Sequence, residues 1–240
     1  MFDSMSLVDR LAVALDVSSA KEALELAKRL SGKVGVLKVG LELFCSEGPS
    51  IVREIQKFAP VFLDLKFHDI PTTVRRAMSA VLGLDPILIN IHALGGLNMM
   101  REASELIKAH RQNGGRTRLL AVTILTSMDK RALEQLNLTN EPPEMVLHLA
   151  RLAKSAGCDG VVCSAQESAS LRAGCGDDFL LLTPGIRPKG AGTQDQARVV
   201  TPSEAIRSGS TWIVVGRPIT HAPDPAAAAE AILLEMAGTV

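Results

Sequence analysis

Excess charge of either sign is missing from this chain: 26 lysines and arginines stand against 26 aspartates and glutamates. That balance argues against a broad electrostatic footprint for nucleic acid or an anionic membrane, although local basic patches remain open. Long apolar runs are missing too, and none approaches the roughly 20 residues that span a bilayer. The N-terminus, with Asp3, Asp9 and Arg10 around a short apolar stretch, lacks the pattern of a secretory signal. A soluble, cytoplasmic protein is the expectation. Cysteine is sparse, and Cys45, Cys158, Cys163 and Cys175 form no Cys-x-x-Cys pair and meet no histidine at zinc-finger spacing. They read as small buried or half-buried thiols in a reducing compartment.

What is present is alternation. Short apolar runs rich in Val, Ile and Leu recur at 11–16, 34–40, 61–66, 87–92, 119–126, 160–164, 179–184 and 211–216. Amphipathic stretches lie between them, among them 20–30, 49–58, 72–82, 96–110 and 144–156. Near-continuous apolar strands alternating with helices imply a parallel sheet covered by helices. Eight such units in 240 residues fit a (β/α)8 TIM barrel, with residues 1–240 as one domain. A doubly wound dinucleotide fold fits less well, because no Gly-x-Gly-x-x-Gly follows the first run. The stretch 126–143 predicts a loop and a short helix after the fifth strand, and the glycine-rich 185–192 a mobile loop after the seventh.

The segment Asp64-Leu-Lys-Phe-His-Asp-Ile-Pro-Thr-Thr73 breaks the apolar rule. In a strand, Phe62, Asp64 and Lys66 share one face, and Leu63 and Leu65 the other. Buried charges are costly unless paired and hydrogen-bonded, so such a face needs a reason. Other strands also end in polar or specially shaped residues: Asp16, Lys38, His92, Thr126, Pro184-Gly185 and Gly216-Arg217. In a barrel these ends converge on the rim that carries active sites. Each has a plainer reading. Asp16 could cap the first helix, Lys38 could snorkel to the rim, and Asp69 before Pro71 could start a helix. His92 could be a hydrogen-bonded rim residue and Thr126 a loop hydroxyl. Together, lysines and carboxylates on one rim form an alternating network that neutralises itself and sets the proton affinity of each ammonium. A metal at Asp64 and Asp69 is conceivable, but the flanking lysines would repel a divalent cation. No serine-histidine or cysteine-histidine nucleophile pattern is present.

The eighth run leads through Gly216-Arg217-Pro218 directly into a helix, and the preceding loop brings Arg187, Lys189 and Gln196. Backbone N–H groups at a helix start, together with arginine, make a phosphate site of the kind common after barrel strands seven and eight. A tight turn beside a surface arginine is the plain alternative. A phosphorylated small molecule, anchored near Arg217 with its reactive end toward Lys66, is the expectation.

With these pieces together, the chain resembles the orotidine 5′-phosphate decarboxylase family over essentially its whole length. The resemblance is carried by LAVALD at 11–16, VGVLKVG at 34–40, LDLKFHDIPTT at 63–73, LTS at 125–127, LLTPGIRP at 181–188, DQ at 195–196 and VVGRPIT at 214–220. It implies a homodimeric TIM barrel, free of cofactor and metal, that converts orotidine 5′-monophosphate to uridine 5′-monophosphate and carbon dioxide. By motif, Lys66 is the proton donor in a Lys38–Asp64–Lys66–Asp69 array, with Asp69 and Thr73 reaching into the neighbouring subunit's site. The resemblance also implies that Asp16 and Lys38 hold ribose hydroxyls and that Thr126 meets the pyrimidine edge. Arg187, Gln196 and Arg217, beside the Gly216 backbone, would take the phosphate. Magnesium-dependent sugar-phosphate decarboxylases share the Asp-x-Lys-x-x-Asp pattern, but a glutamate stands in them where this chain has Lys38.

Overall fold

The structure, a computed structural model, describes residues 5–138, 141–189 and 199–238. Eight parallel strands close into a barrel in sequence order: β1 Leu11–Ala14, β2 Val36–Gly40, β3 Val61–Phe67, β4 Leu88–His92, β5 Arg118–Val122, β6 Gly160–Val162, β7 Leu180–Thr183 and β8 Trp212–Val215. Around them run α1 Ala20–Leu30, α2 Leu41–Glu47, α3 Ser50–Ile55, α4 Pro71–Leu82, α5 Gly96–Gln112, α6 Lys130–Gln135, α7 Pro142–Ala156, α8 Ser168–Cys175, α9 Pro202–Arg207, α10 Arg217–Thr220 and α11 Pro225–Met236. The expected (β/α)8 barrel is what the chain forms. All eight expected strands are present, and the short helix expected after the fifth is α6.

Period-2 alternation divides the apolar residues into two cores. Ala12, Val36, Phe62, Leu88, Leu120 and Trp212 point inward and fill the barrel. Leu11, Leu37, Leu63, Ile89 and their neighbours point outward, against the helices. The helices form for local reasons as well. In α1, Ala23, Leu26, Ala27 and Leu30 make one buried face, and the Ser19 side chain accepts the Glu22 N–H at the start. Pro71 opens α4 at a position where a missing N–H costs nothing.

Five strands end one to four residues short of expectation, and two of these ends bear on the site. β1 stops at Ala14, leaving Asp16 in the loop, where Ser19 rather than Asp16 caps α1. β5 stops at Val122 rather than 126. There Thr123 turns its N–H and its hydroxyl onto the same Val162 carbonyl, and Met128 N–H bonds the Leu125 carbonyl to make a turn. Thr126 therefore lies in a rim loop. Cys158, Cys163 and Cys175 are buried as expected, but Cys45 is exposed, because it lies on the solvent side of the short helix α2.

Candidate active site at the C-terminal rim

The polar strand ends meet above the inner core. A cavity of about 580 Å³ is lined by Asp16, Lys38, Asp64, Lys66, Thr126, Arg187, Gly216 and Arg217, among others. That volume suits a small-molecule ligand. Its floor comes from inward-facing Ala14, Phe62, Val122, Val162, Leu182 and Val214. The site is thus apolar beneath and charged on two sides.

One side is the charge array. Lys38 Nζ donates to Asp16 Oδ1 at 2.9 Å and faces Asp64 Oδ2 at 3.3 Å. Lys66 Nζ donates to Asp64 Oδ1 at 2.6 Å. Asp64 is therefore shared by two ammonium groups, one oxygen for each. Burial alone would pull the Lys38 ammonium down, but the charges of Asp64 and Asp16 and hydrogen bonds to them hold its pKa above that of an ordinary lysine. Burial alone would push the Asp64 carboxyl up, yet Lys38, Lys66 and a hydrogen bond from Asn90 hold it below the usual carboxylate range. Both groups are ionised at neutral pH, and neither is screened much by water. Lys38 does not snorkel.

Asn90 was not anticipated, although a signal existed. An asparagine between Ile89 and Ile91, on the inward face of β4, is the same kind of anomaly as Asp64. Gly40 was likewise unread: a Cβ there would come within 3.0 Å of Lys38 Nζ and 3.3 Å of Asp16 Oδ1. A side chain there would push that ion pair aside by a few tenths of an ångström.

Lys66 itself has φ +50°, in the left-handed region, where β3 and β4 shift register between Leu63 and Phe67. Next to it the His92 ring tilts against His68 at 5.5 Å. Burial lowers the His92 pKa first, and the His68 and Lys66 charges lower it further, so the ring is neutral at pH 7. The expected hydrogen bond is absent on one side: buried His92 Nδ1 has no partner among the described residues.

Asp69 and Thr73 stand apart. Both are exposed beyond the end of β3, and the Asp69 carboxylate accepts the N–H of Ile70 at 2.6 Å. Asp69 is not bonded to Lys66 among the described residues, nor does it cap α4. Of the Lys38–Asp64–Lys66–Asp69 array, the first three members meet within one chain and the fourth does not.

The opposite side of the cavity is cationic. Arg187 is buried, and its Nη1 donates to its neighbour Ile186's carbonyl at 2.9 Å. Burial and the nearby Arg217 charge lower its pKa. Two guanidinium groups close enough to perturb each other mark a place where an anion would be stabilised. The left-handed Gly185, φ +77°, turns the chain out of β7 toward Arg187. α10 is a single turn whose second residue, Pro218, has no N–H to offer an anion. Gln196 lies outside the described residues. Among those residues, no group of three or more His, Cys, Asp or Glu is placed to hold a metal ion.

Comparisons with known proteins point to one family. The model of the orotidine 5′-phosphate decarboxylase / HUMPS family matches residues 9–232. The chain is 51% identical over 229 residues to the orotidine 5′-phosphate decarboxylase of Nitrosococcus oceani, covering 95% of this chain and 97% of the relative. Its identity to that of Geobacter metallireducens is 48%, over 95% of this chain and 96% of the relative. Among solved structures, the orotidine 5′-phosphate decarboxylase from Lactobacillus acidophilus superposes with a TM-score of 0.81 at 41% identity, covering 92% of this chain and 96% of that one.

Proposed function

The chain belongs to the orotidine 5′-phosphate decarboxylase / HUMPS family, and from that membership and the rim geometry we propose that it decarboxylates orotidine 5′-monophosphate to uridine 5′-monophosphate in pyrimidine biosynthesis. The observation that carries the reading is Asp64, a buried carboxylate shared by Lys38 and Lys66 at the wall of a nucleotide-sized cavity. Loss of carbon dioxide breaks the bond from ring carbon 6 and leaves its electron pair there. A fixed ammonium aimed at that carbon stabilises the developing charge, and then transfers a proton to it. Lys66 is that group, and its amine regains a proton from solvent after product leaves. Asp64 holds both ammonium groups in place and lies beside the departing carboxylate.

The remaining roles follow the family motifs. Asp16 and Lys38 take the ribose hydroxyls and Thr126 the pyrimidine edge. Arg187, Gln196 and Arg217, with the Gly216 backbone, take the phosphate, whose remote binding energy serves the reacting end. No metal or cofactor enters the proposed reaction: positive charge at the reacting carbon is supplied by Lys66, and the two lysines of the array would repel a divalent cation.

We propose further a cytoplasmic homodimer with shared sites. Asp69 and Thr73 are exposed and do not line their own cavity, and exposed apolar Leu41, Ile70 and Leu94 follow the adjacent strands β2, β3 and β4 on one side of the rim. A second copy covering that side would bring Asp69 to the neighbour's Lys66.

Purified protein is tested by the ultraviolet change on consumption of orotidine 5′-monophosphate, before and after exhaustive chelation. Turnover should persist without metal, and Lys66→Ala should nearly abolish it while circular dichroism stays unchanged. Metal-dependent turnover would instead favour the magnesium-dependent branch of the pattern. Equal turnover in wild type and Lys66→Ala would remove the proton donor from the mechanism.

A further inference from the structure

Strand β4 turns Leu88, Asn90 and His92 toward the barrel interior, and Asn90 is fully buried there. A buried amide is costly unless its polar atoms are bonded. Both ends of this one are used. Its Oδ1 accepts the backbone N–H of Lys66 at 2.8 Å, and its Nδ2 donates to Asp64 Oδ1 at 2.7 Å. The partners fix the amide orientation, since a backbone N–H only donates and an ionised carboxylate only accepts.

The two contacts govern different things. Lys66 adopts a left-handed backbone, disfavoured for any residue with a Cβ, and persists there only if its surroundings over-determine it. At this point β3 and β4 are out of regular register, and the Lys66 N–H bonds the Asn90 side chain. The second contact pins the carboxylate. Asp64 Oδ1 receives both Asn90 Nδ2 and Lys66 Nζ, which leaves Oδ2 turned to Lys38.

We propose that Asn90 is the positioning residue of the charge array. It holds the left-handed turn that aims the Lys66 ammonium, and it locks Asp64 in the rotamer that gives one oxygen to each lysine. Its kinetic consequence rests on the decarboxylase reading; its geometric role does not. Alanine removes both contacts. Aspartate keeps the size and the acceptor for Lys66 N–H, but replaces the donor to Asp64 with an oxygen that bonds it only when protonated. Two carboxyls at that distance do not both ionise readily, so the pair would hold a proton above the usual carboxylate range.

Asn90→Ala should lower kcat by about 100-fold, the loss associated with a misplacement of about 1 Å. KM should change far less than kcat, because the arginines proposed to bind the phosphate follow β7 and β8, away from Asn90 on β4. Asn90→Asp should acquire a fall in kcat with rising pH that wild type lacks, as its shared proton is lost. Hydrogen exchange at the Lys66 amide needs no turnover: it should be slow in wild type and Asn90→Asp, and fast in Asn90→Ala. A folded Asn90→Ala with wild-type kcat, or an Asn90→Asp with the wild-type pH profile, overturns the proposal. If Asn90→Ala does not fold, the Asn90→Asp profile decides. If wild type leaves orotidine 5′-monophosphate untouched, the decarboxylase reading fails and the exchange rates still decide the role of Asn90.

Discussion

Asp64→Asn removes the one buried carboxylate that two ammonium groups share, and its cost can be worked from the structure. The side chains of Asp64 and Lys38 are only 9% and 10% exposed, at 3.3 Å. At an effective dielectric constant near 20, gross attraction at that distance is about 5 kcal/mol. Most of it is offset by the desolvation of both ions, so the measurable quantity is the cost of stranding one. For a buried pair that is about 3–5 kcal/mol. Lys66 adds little, because its side chain is 31% exposed and water takes over from the lost partner. Asp16 moderates the loss by staying bonded to Lys38, but its side chain is 61% exposed, which limits its help to about 0–1 kcal/mol. The variant should therefore lose about 3 kcal/mol at pH 7. A second limit sets the pH dependence. Stranded Lys38 can release its proton, at a cost of about 4.6 kcal/mol at pH 7 but only about 1.2 kcal/mol at pH 9.5, from an ordinary lysine pKa of about 10.4. In the variant, burial lowers the folded pKa of Lys38 below its unfolded value, so the variant gains stability as pH rises. Wild type behaves oppositely: the raised Lys38 pKa gives a contribution that is complete below about 10.4 and is lost only as pH climbs through the higher folded value. Urea unfolding of both proteins at pH 7 and 9.5, at one protomer concentration, reads the difference. It should shrink from about 3 to about 1 kcal/mol. A difference below 1 kcal/mol at pH 7, or one that does not change with pH, would refute the buried-pair reasoning.

Two further outcomes are expected. Arg217→Ala should lower kcat/KM for orotidine 5′-monophosphate by about 10- to 150-fold, the loss of one charged hydrogen bond; orotidine, which lacks the phosphate, should be processed equally by both proteins, and an equal loss on both substrates would remove Arg217 from the anion site. Mixing inactive Lys66→Ala with inactive Asp69→Ala subunits should restore about a quarter of wild-type activity, because half of the random dimers carry one intact site. No recovery despite proven subunit exchange would confine each site to one chain.

How much was legible depended on whether a residue's signal was local. The strands showed themselves as apolar runs bounded by polar residues, because burial on both faces leaves no room for polar positions. α1 was readable to the residue from its apolar spacing, although its cap is Ser19 rather than the expected Asp16. β5 was over-extended because Thr123 and Ile124 suit a strand by composition, whereas a shared Val162 carbonyl ends the ladder. Asp64 and Lys66 were found because charge on a buried face is anomalous in one dimension. Asn90 carried a weaker form of the same anomaly, and Gly40 carried none, since its reason is the close approach of Lys38 and Asp16.

The order of apolar and polar residues by itself determined the barrel, its strand count and the rim on which chemistry collects. It also held the motifs that tie the chain to its family. Only the tertiary structure decided which charges pair: Asp16 with Lys38 rather than with a helix start, Asp64 with two lysines, and Asp69 with none of them in its own chain. The reason is physical. Periodicity follows from local backbone geometry and is written along the chain, whereas an ion pair depends on closure of eight strands that links residues 16, 38, 64, 66 and 90 in one connected network of hydrogen bonds and ion pairs.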